Sequence, residues 1–278
     1  MKSRPFKQVD VFTAVPYRGN PLAVVLDGSG LSTEEMQRFA RWTNFSETTF
    51  LLPPTDPAAD YLVRIFTTTM ELPFAGHPTI GSCHAWLANG GVPRTPGSVV
   101  QQCGVGLVTV AQGADGRLAF AAPPMLRFGE VDEATVTEAA TALGIDPATI
   151  VDSSWIDNGP GWLGVLLESA DEVLAITPGN TPLKLGVVGP YPPGSQFAYE
   201  VRGFFPEGTT TFEDPVTGSL NASAAQWLIG SGRFTAPYVA SQGTAMGRAG
   251  QVFISTDDTG QVWVGGDAVT CVAGTVEL

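Results

Sequence analysis

Both histidines of the chain, His77 and His84, lie in one stretch, Glu71 to Leu87. His77 stands between Gly76 and Pro78, where an extended segment breaks and a helix is predicted to begin near Thr79. A histidine there can hydrogen-bond a ligand or carry a proton near neutral pH. Unsatisfied N–H groups at a helix start also attract anions. A cap or a packed core histidine fits the same residue. His84, about two helical turns on, reads as packing. Glu47 is the first choice for an acid/base. It falls in Phe45-Ser46-Glu47-Thr48-Thr49-Phe50, and desolvation in such a setting suits a carboxyl to taking and returning a proton. The alternative is a glutamate on the solvated face of the strand. Asp214 precedes Pro215 at a second helix start, where it could serve the chemistry or simply cap the helix. Glu213 is its less favoured neighbour. Thr79, Gly81 and Ser82, and again Thr217, Gly218 and Ser219, offer N–H and hydroxyl groups to a carboxylate or act as caps.

The elements that hold these residues follow from the pattern. Strands are predicted at Gln8–Phe12, Leu22–Leu26, Phe45–Leu52 and Tyr61–Phe66, with a helix capped by Ser32 or Thr33 and ending near Thr43-Asn44. A meander follows at Val99–Gln101, Leu107–Val110 and Leu118–Phe120, turning at Ala114-Asp115-Gly116. Ala121–Pro124 reads as a crossover. Beyond it come a helix from Ala134 to Leu143 stopped by Gly144, a turn at Trp155–Gly161, a strand at Trp162–Leu167, and a Pro/Gly-rich loop over 177–195. The last part reads as a strand at Tyr199–Arg202, a helix running through Trp227-Leu228, and a hairpin around Asp258-Thr259-Gly260.

The second part repeats the first. Tyr61-Leu62-Val63-Arg64 matches Tyr199-Glu200-Val201-Arg202, His77-Pro78 matches Asp214-Pro215, and Gly81-Ser82 matches Gly218-Ser219. Trp86-Leu87 matches Trp227-Leu228 at an offset four larger than His77-Pro78, which is about one helical turn. Asp115-Gly116 and Thr259-Gly260 close the series, and Gly19-Asn20-Pro21 resembles Asn158-Gly159-Pro160. Matches in one order argue for an internal duplication. The two predicted helices are apolar all round, so each should be buried. The expected fold is α+β, with two pseudo-symmetric halves, each a mostly antiparallel sheet or barrel wrapped around a central helix. The halves are placed at residues 1–120 and 121–278, with an active-site cleft between them.

Composition narrows the function. Of 278 residues, 44% are hydrophobic, enough for a sizeable core. The net charge of −13 argues against nucleic acid and anionic membrane surfaces as partners, and leaves room for a small anionic substrate. No apolar run has the length of a membrane span or signal core, so a soluble, cytoplasmic protein is expected. Cys83, Cys103 and Cys271 are too few and too widely spaced for a disulfide framework or a metal signature.

Several pieces together resemble the PhzF family of phenazine biosynthesis-like isomerases, which share the duplicated diaminopimelate-epimerase-type fold. They are Gly19-Asn20-Pro21, Asn44 to Phe50, Leu72 to Thr79, Glu213-Asp214-Pro215-Val216-Thr217-Gly218-Ser219, and Ser241-Gln242-Gly243 with Gly247-Arg248. The resemblance runs through nearly the whole chain. It implies a homodimeric enzyme without metal or cofactor that shifts a proton on a small carboxylated substrate. It puts the catalytic glutamate on Glu47 and the assisting groups on His77, Asp214 and Ser219. Asn20, Ser46, Gly76, Thr79 and Gly218 are the substrate-binding positions expected beside them. The related epimerases carry a cysteine in each half, where this chain has His77 and Asp214.

Three functions remain open at this point. One is a one-base isomerase led by Glu47. Another is a two-base amino-acid epimerase or racemase on the same fold, which needs a matched pair of bases, although Ser46-Glu47-Thr48 has no evident second copy. The third is a small-molecule-binding protein that keeps the pocket without turnover.

Overall fold

The computed structural model describes residues 1–206 and 208–278. The chain forms two compact units, one of residues 1–121 with 265–278 and one of residues 122–264. The division expected from the sequence is 1–120 and 121–278. The C-terminus departs from the expected 121–278 half, because the last strand, Ala268–Glu277, pairs antiparallel with the first, Ser3–Val11.

In the first unit Ser3–Val11 also pairs with Asn20–Val25. A helix, α1 (Thr33–Thr43), crosses over to Thr48–Leu52, which runs parallel to Asn20–Val25. Ser32 and Glu35 form a reciprocal capping box at the start of α1, and Asn44 ends it in the left-handed conformation at φ 58°. Tyr61–Phe66 adds antiparallel and turns tightly into Glu71–Leu72. Then comes α2 (Gly76–Leu87), followed by Ser98–Cys103, Gly106–Gln112 and Leu118–Ala121. Helix α2 contacts strands on every side, including Ser3–Val11, Asn20–Val25, Leu118–Ala121 and Ala268–Glu277. Its residues 76–83 and Ala85 are buried, as an all-round apolar helix requires. It starts at Gly76, three residues earlier than expected. Proline, which lacks an N–H, is tolerated in the first turn, so Pro78 does not delay the start.

The second unit repeats this order. Asp152–Asp157 pairs with Trp162–Leu166, a short helix follows, and Lys184–Pro190 adds parallel. Tyr199–Glu207 adds antiparallel and turns into Thr210–Asp214. A buried helix and Tyr238–Gln242 come next, the strand parallel to Tyr199–Glu207. The helices of this unit are α3 (Glu133–Leu143), α4 (Ala170–Ala175) and α5 (Gly218–Gly230). Two expectations change. Trp155-Ile156-Asp157 belongs to a strand rather than a turn, and the supposed loop at 177–195 contains the strand Lys184–Pro190. The glycines that disguised that strand serve packing: a Cβ on Gly186 would lie 2.1 Å from Leu220 Cδ1 of α5. This strand is the second copy of Thr48–Leu52, so the repeat is complete in topology.

The repeat also has a different register from the one read in the sequence. Arg64 makes a bidentate ion pair with Glu71 at 2.7 and 2.6 Å, and Arg202 makes the same pair with Glu213 at 2.9 and 2.8 Å. Phe66 pairs with Glu71 and Phe204 with Glu213, so the second hairpin is four residues longer. The four-residue slip therefore lies in the hairpin and not in the helix. Beyond it Glu71 corresponds to Glu213, Ala75 to Thr217, Gly76 to Gly218 and His77 to Ser219. The side chains agree: Thr79 Oγ1 donates to Ala75 O, and Asn221 Nδ2 donates to Thr217 O, both at 2.9 Å. Asp214 thus corresponds to Leu72, and the pairing of His77 with Asp214 is corrected.

Candidate active site

Glu47 does not lie in the strand. Asn44 turns the chain out of α1, and pairing resumes only at Thr48, opposite Ala23 and Phe66. The hydroxyls of Thr43 and Thr48 meet at 3.0 Å and draw the short connection closed. Glu47 sits in that connection, its side chain 18% exposed. Ser46 beside it is exposed.

His77, in the first turn of α2, is buried, with 5% of its side chain exposed. Its Nδ1 lies 3.1 Å from Glu47 Oε2. An ionised carboxylate only accepts, so Nδ1 carries the hydrogen and donates to Glu47. The other ring nitrogen, Nε2, is buried and has no hydrogen-bond partner among the described residues. A buried polar atom left in this way is uncommon, and at a site of chemistry it marks a place for a ligand atom. Gly76 explains itself by packing: a Cβ there would fall 2.4 Å from Cζ of Phe120. Thr79 is fully buried, its N–H bonded to Ala75 O and its hydroxyl held between Ala75 O and Gln101 Nε2. Its groups are thus committed within the protein. Asn20 is buried where its strand starts, opposite Val11. His84 is a packing residue, as read: its Nε2 meets Thr270 Oγ1 at 3.0 Å.

In the second unit Asp214 ends its strand and Ser219 is the second residue of α5. Trp162 Nε1 donates to Ser219 Oγ at 3.0 Å, and Asn158 Nδ2 donates to Ser219 O at 2.9 Å. An indole N–H is donor only, so the serine oxygen accepts and its own hydrogen is left to point elsewhere. Gly218 is buried at the first position of α5. Thr217 Oγ1 donates to Asp214 Oδ2 at 2.7 Å. Glu213 is committed to Arg202, which leaves Asp214 as the acid of this stretch. Sequence reasoning missed the roles of Trp162 and Gln242, although the latter stood within the quoted Ser241-Gln242-Gly243.

The copy of Thr48–Leu52, Lys184–Pro190, is preceded by Asn180-Thr181-Pro182-Leu183, with no acid. Glu47 therefore has no counterpart, and the counterpart of His77 is a serine. Among the described residues no group of three or more His, Cys, Asp or Glu side chains could hold a metal ion, and no helix is long and apolar enough to cross a membrane.

The chain is similar to several known proteins. A family profile described as "Phenazine biosynthesis-like protein" (PhzC-PhzF) matches residues 9–274. The chain is 37% identical to "Antisense-enhancing sequence 1" of Schizosaccharomyces pombe over 99% of each chain. It is 31% identical to the trans-2,3-dihydro-3-hydroxyanthranilate isomerase of Pseudomonas fluorescens, over 97% of this chain and 98% of that one. Its fold matches the crystal structure of a PhzF-family phenazine biosynthesis protein of Bacillus anthracis with a TM-score of 0.83 over 100% of both chains, at 23% identity.

Proposed function

We propose, from the premise that this chain belongs to the phenazine biosynthesis-like (PhzC-PhzF) family, that it is an isomerase in which the Glu47–His77 pair moves one proton on a small carboxylated substrate. The observation that carries this is the 3.1 Å contact between Glu47 Oε2 and His77 Nδ1, with the far nitrogen of the histidine buried and unpartnered. Glu47 as carboxylate takes an acidic C–H proton. The electron pair moves into the unsaturated system, and Glu47 returns the proton at the allylic carbon. One C–H bond breaks, another forms, and the double bond shifts without oxidation or reduction. His77 orients the base through Nδ1–H, and its Nε2 lone pair accepts from an amine or hydroxyl of the substrate. Asp214 and Ser219 are assigned supporting hydrogen bonds, Ser219 as a donor. Ser219 and Leu72, which stand where a two-base enzyme would repeat His77 and Asp214, favour one base over two.

The substrate named for the Pseudomonas fluorescens relative is the first candidate. Incubating it with the protein in heavy water and following the product by NMR tests the reading. Migration of the double bond with deuterium at one carbon supports it. Inversion at a carbon without migration favours an epimerase. Binding without either favours a ligand-binding protein. A homodimer belongs to the same reading, and sedimentation measures it.

A further inference from the structure

The motif Ser241-Gln242-Gly243 has no part in the reaction described above, yet Gln242 is fully buried at the end of its strand. Its amide makes four hydrogen bonds, which fix it in one orientation. Oε1 accepts from Thr217 N at 2.9 Å and from Asn221 Nδ2 at 2.7 Å, while Nε2 donates to Asp214 O at 3.1 Å and to Thr217 Oγ1 at 2.9 Å. A backbone N–H only donates and a carbonyl only accepts, so the amide cannot be turned over without losing two of these bonds. Thr217 Oγ1 accepts from Gln242, so its single hydrogen goes to Asp214 Oδ2, 2.7 Å away. The neighbouring glycine permits this approach: a Cβ on Gly243 would lie 2.6 Å from Pro215 O.

We infer that Gln242 and Thr217 are positioning residues that form a one-way relay, Gln242 Nε2–H to Thr217 O–H to Asp214 Oδ2. The relay holds Oδ2 as an acceptor and favours the ionised carboxylate. The first unit lacks the relay, because Leu72 stands where Asp214 does and Ala75 where Thr217 does. Cys103 takes the strand position of Gln242 there, by the pairing of Leu62 with Gln102 and of Glu200 with Ser241. The relay is therefore tied to the one acid and is not a general need of the fold. Its consequence for turnover rests on the proposed part of Asp214 in the proton shift.

Titration of the free protein labelled with 13C-aspartate, the Asp214 carboxyl assigned by Asp214→Asn, tests the relay without a substrate. Thr217→Val removes the hydroxyl at equal size, and the Asp214 midpoint should rise; Thr217→Ser should leave it at the parent value. Gln242→Met, or Gln242→Glu where the first does not fold, should also raise it. A Thr217→Val midpoint equal to the parent's, a Thr217→Ser midpoint moved as far as that of Thr217→Val, or an unmoved midpoint in the folded Gln242 variant overturns the relay. Full proton exchange by Asp214→Asn would instead end the part of Asp214 in the reaction and leave the relay standing.

Discussion

At the scale of the residue, the account turns on a few atoms of Glu47, His77 and Asp214. His77→Leu removes both the orienting Nδ1–H and the far nitrogen while keeping a side chain of similar bulk. The isomerisation rate should fall about 10²- to 10⁴-fold, the usual worth of a positioned acid–base group, with an unchanged far-UV spectrum. A loss of less than about threefold would make His77 a core residue only. Gly76 makes a separate prediction. Gly76→Ala should cost about 1–3 kcal/mol of stability by driving a methyl into Phe120, and Phe120→Leu should recover part of it. Denaturant unfolding of the single and double variants measures both. As candidates, Glu47, His77, Asp214 and Ser219 were legible because their types and neighbours are unusual. The exposure of Ser46 and the enclosed bonding of Thr79 were not, since sequence names a hydroxyl without showing who already holds it.

At the scale of the element, the two hairpins carry the same ion pair in different surroundings. Arg202 and Glu213 have side chains 6% and 14% exposed, while Arg64 and Glu71 are at 24% and 37%. Arg202 also donates to Val173 O and Ile176 O, tying α4 to the sheet. Arg202→Met should cost about 3–5 kcal/mol, because Glu213 is left buried and unpaired. Arg64→Met should cost about 1 kcal/mol or less. Urea unfolding of the two variants checks the difference, and equal losses would contradict it. The strands and helices themselves were largely readable from alternation, capping residues and Gly/Pro breaks. Lys184–Pro190 was hidden because its glycines, which admit Leu220 and the backbone of Ser169, look like turn residues. The hairpin offset was hidden for another reason: short matches such as His77-Pro78 and Asp214-Pro215 align by letter, whereas the chain aligns by paired strands and salt bridges.

At the scale of the whole molecule, the duplication supplies two similar scaffolds and only one Glu47. That asymmetry separates the proposed isomerase from a two-base epimerase. Global stability should also carry a pH signature. Burial, and secondarily Lys7, hold His84 below its ordinary value of 6.5. The folded protein keeps it neutral while the unfolded chain takes a proton, so stability is full above about pH 6.5 and falls as the pH drops below it. His84→Gln should flatten the dependence of unfolding free energy below about pH 6.5, and an unchanged slope would contradict the assignment. The central claim, that Glu47 is the proton-transferring base, is tested most directly by Glu47→Gln. This change keeps shape and hydrogen-bonding reach while removing the base. Deuterium uptake from heavy water into the proposed substrate should be rapid with the parent and reduced at least about 10²-fold with the folded variant. Uptake by Glu47→Gln at the parental rate would contradict the account.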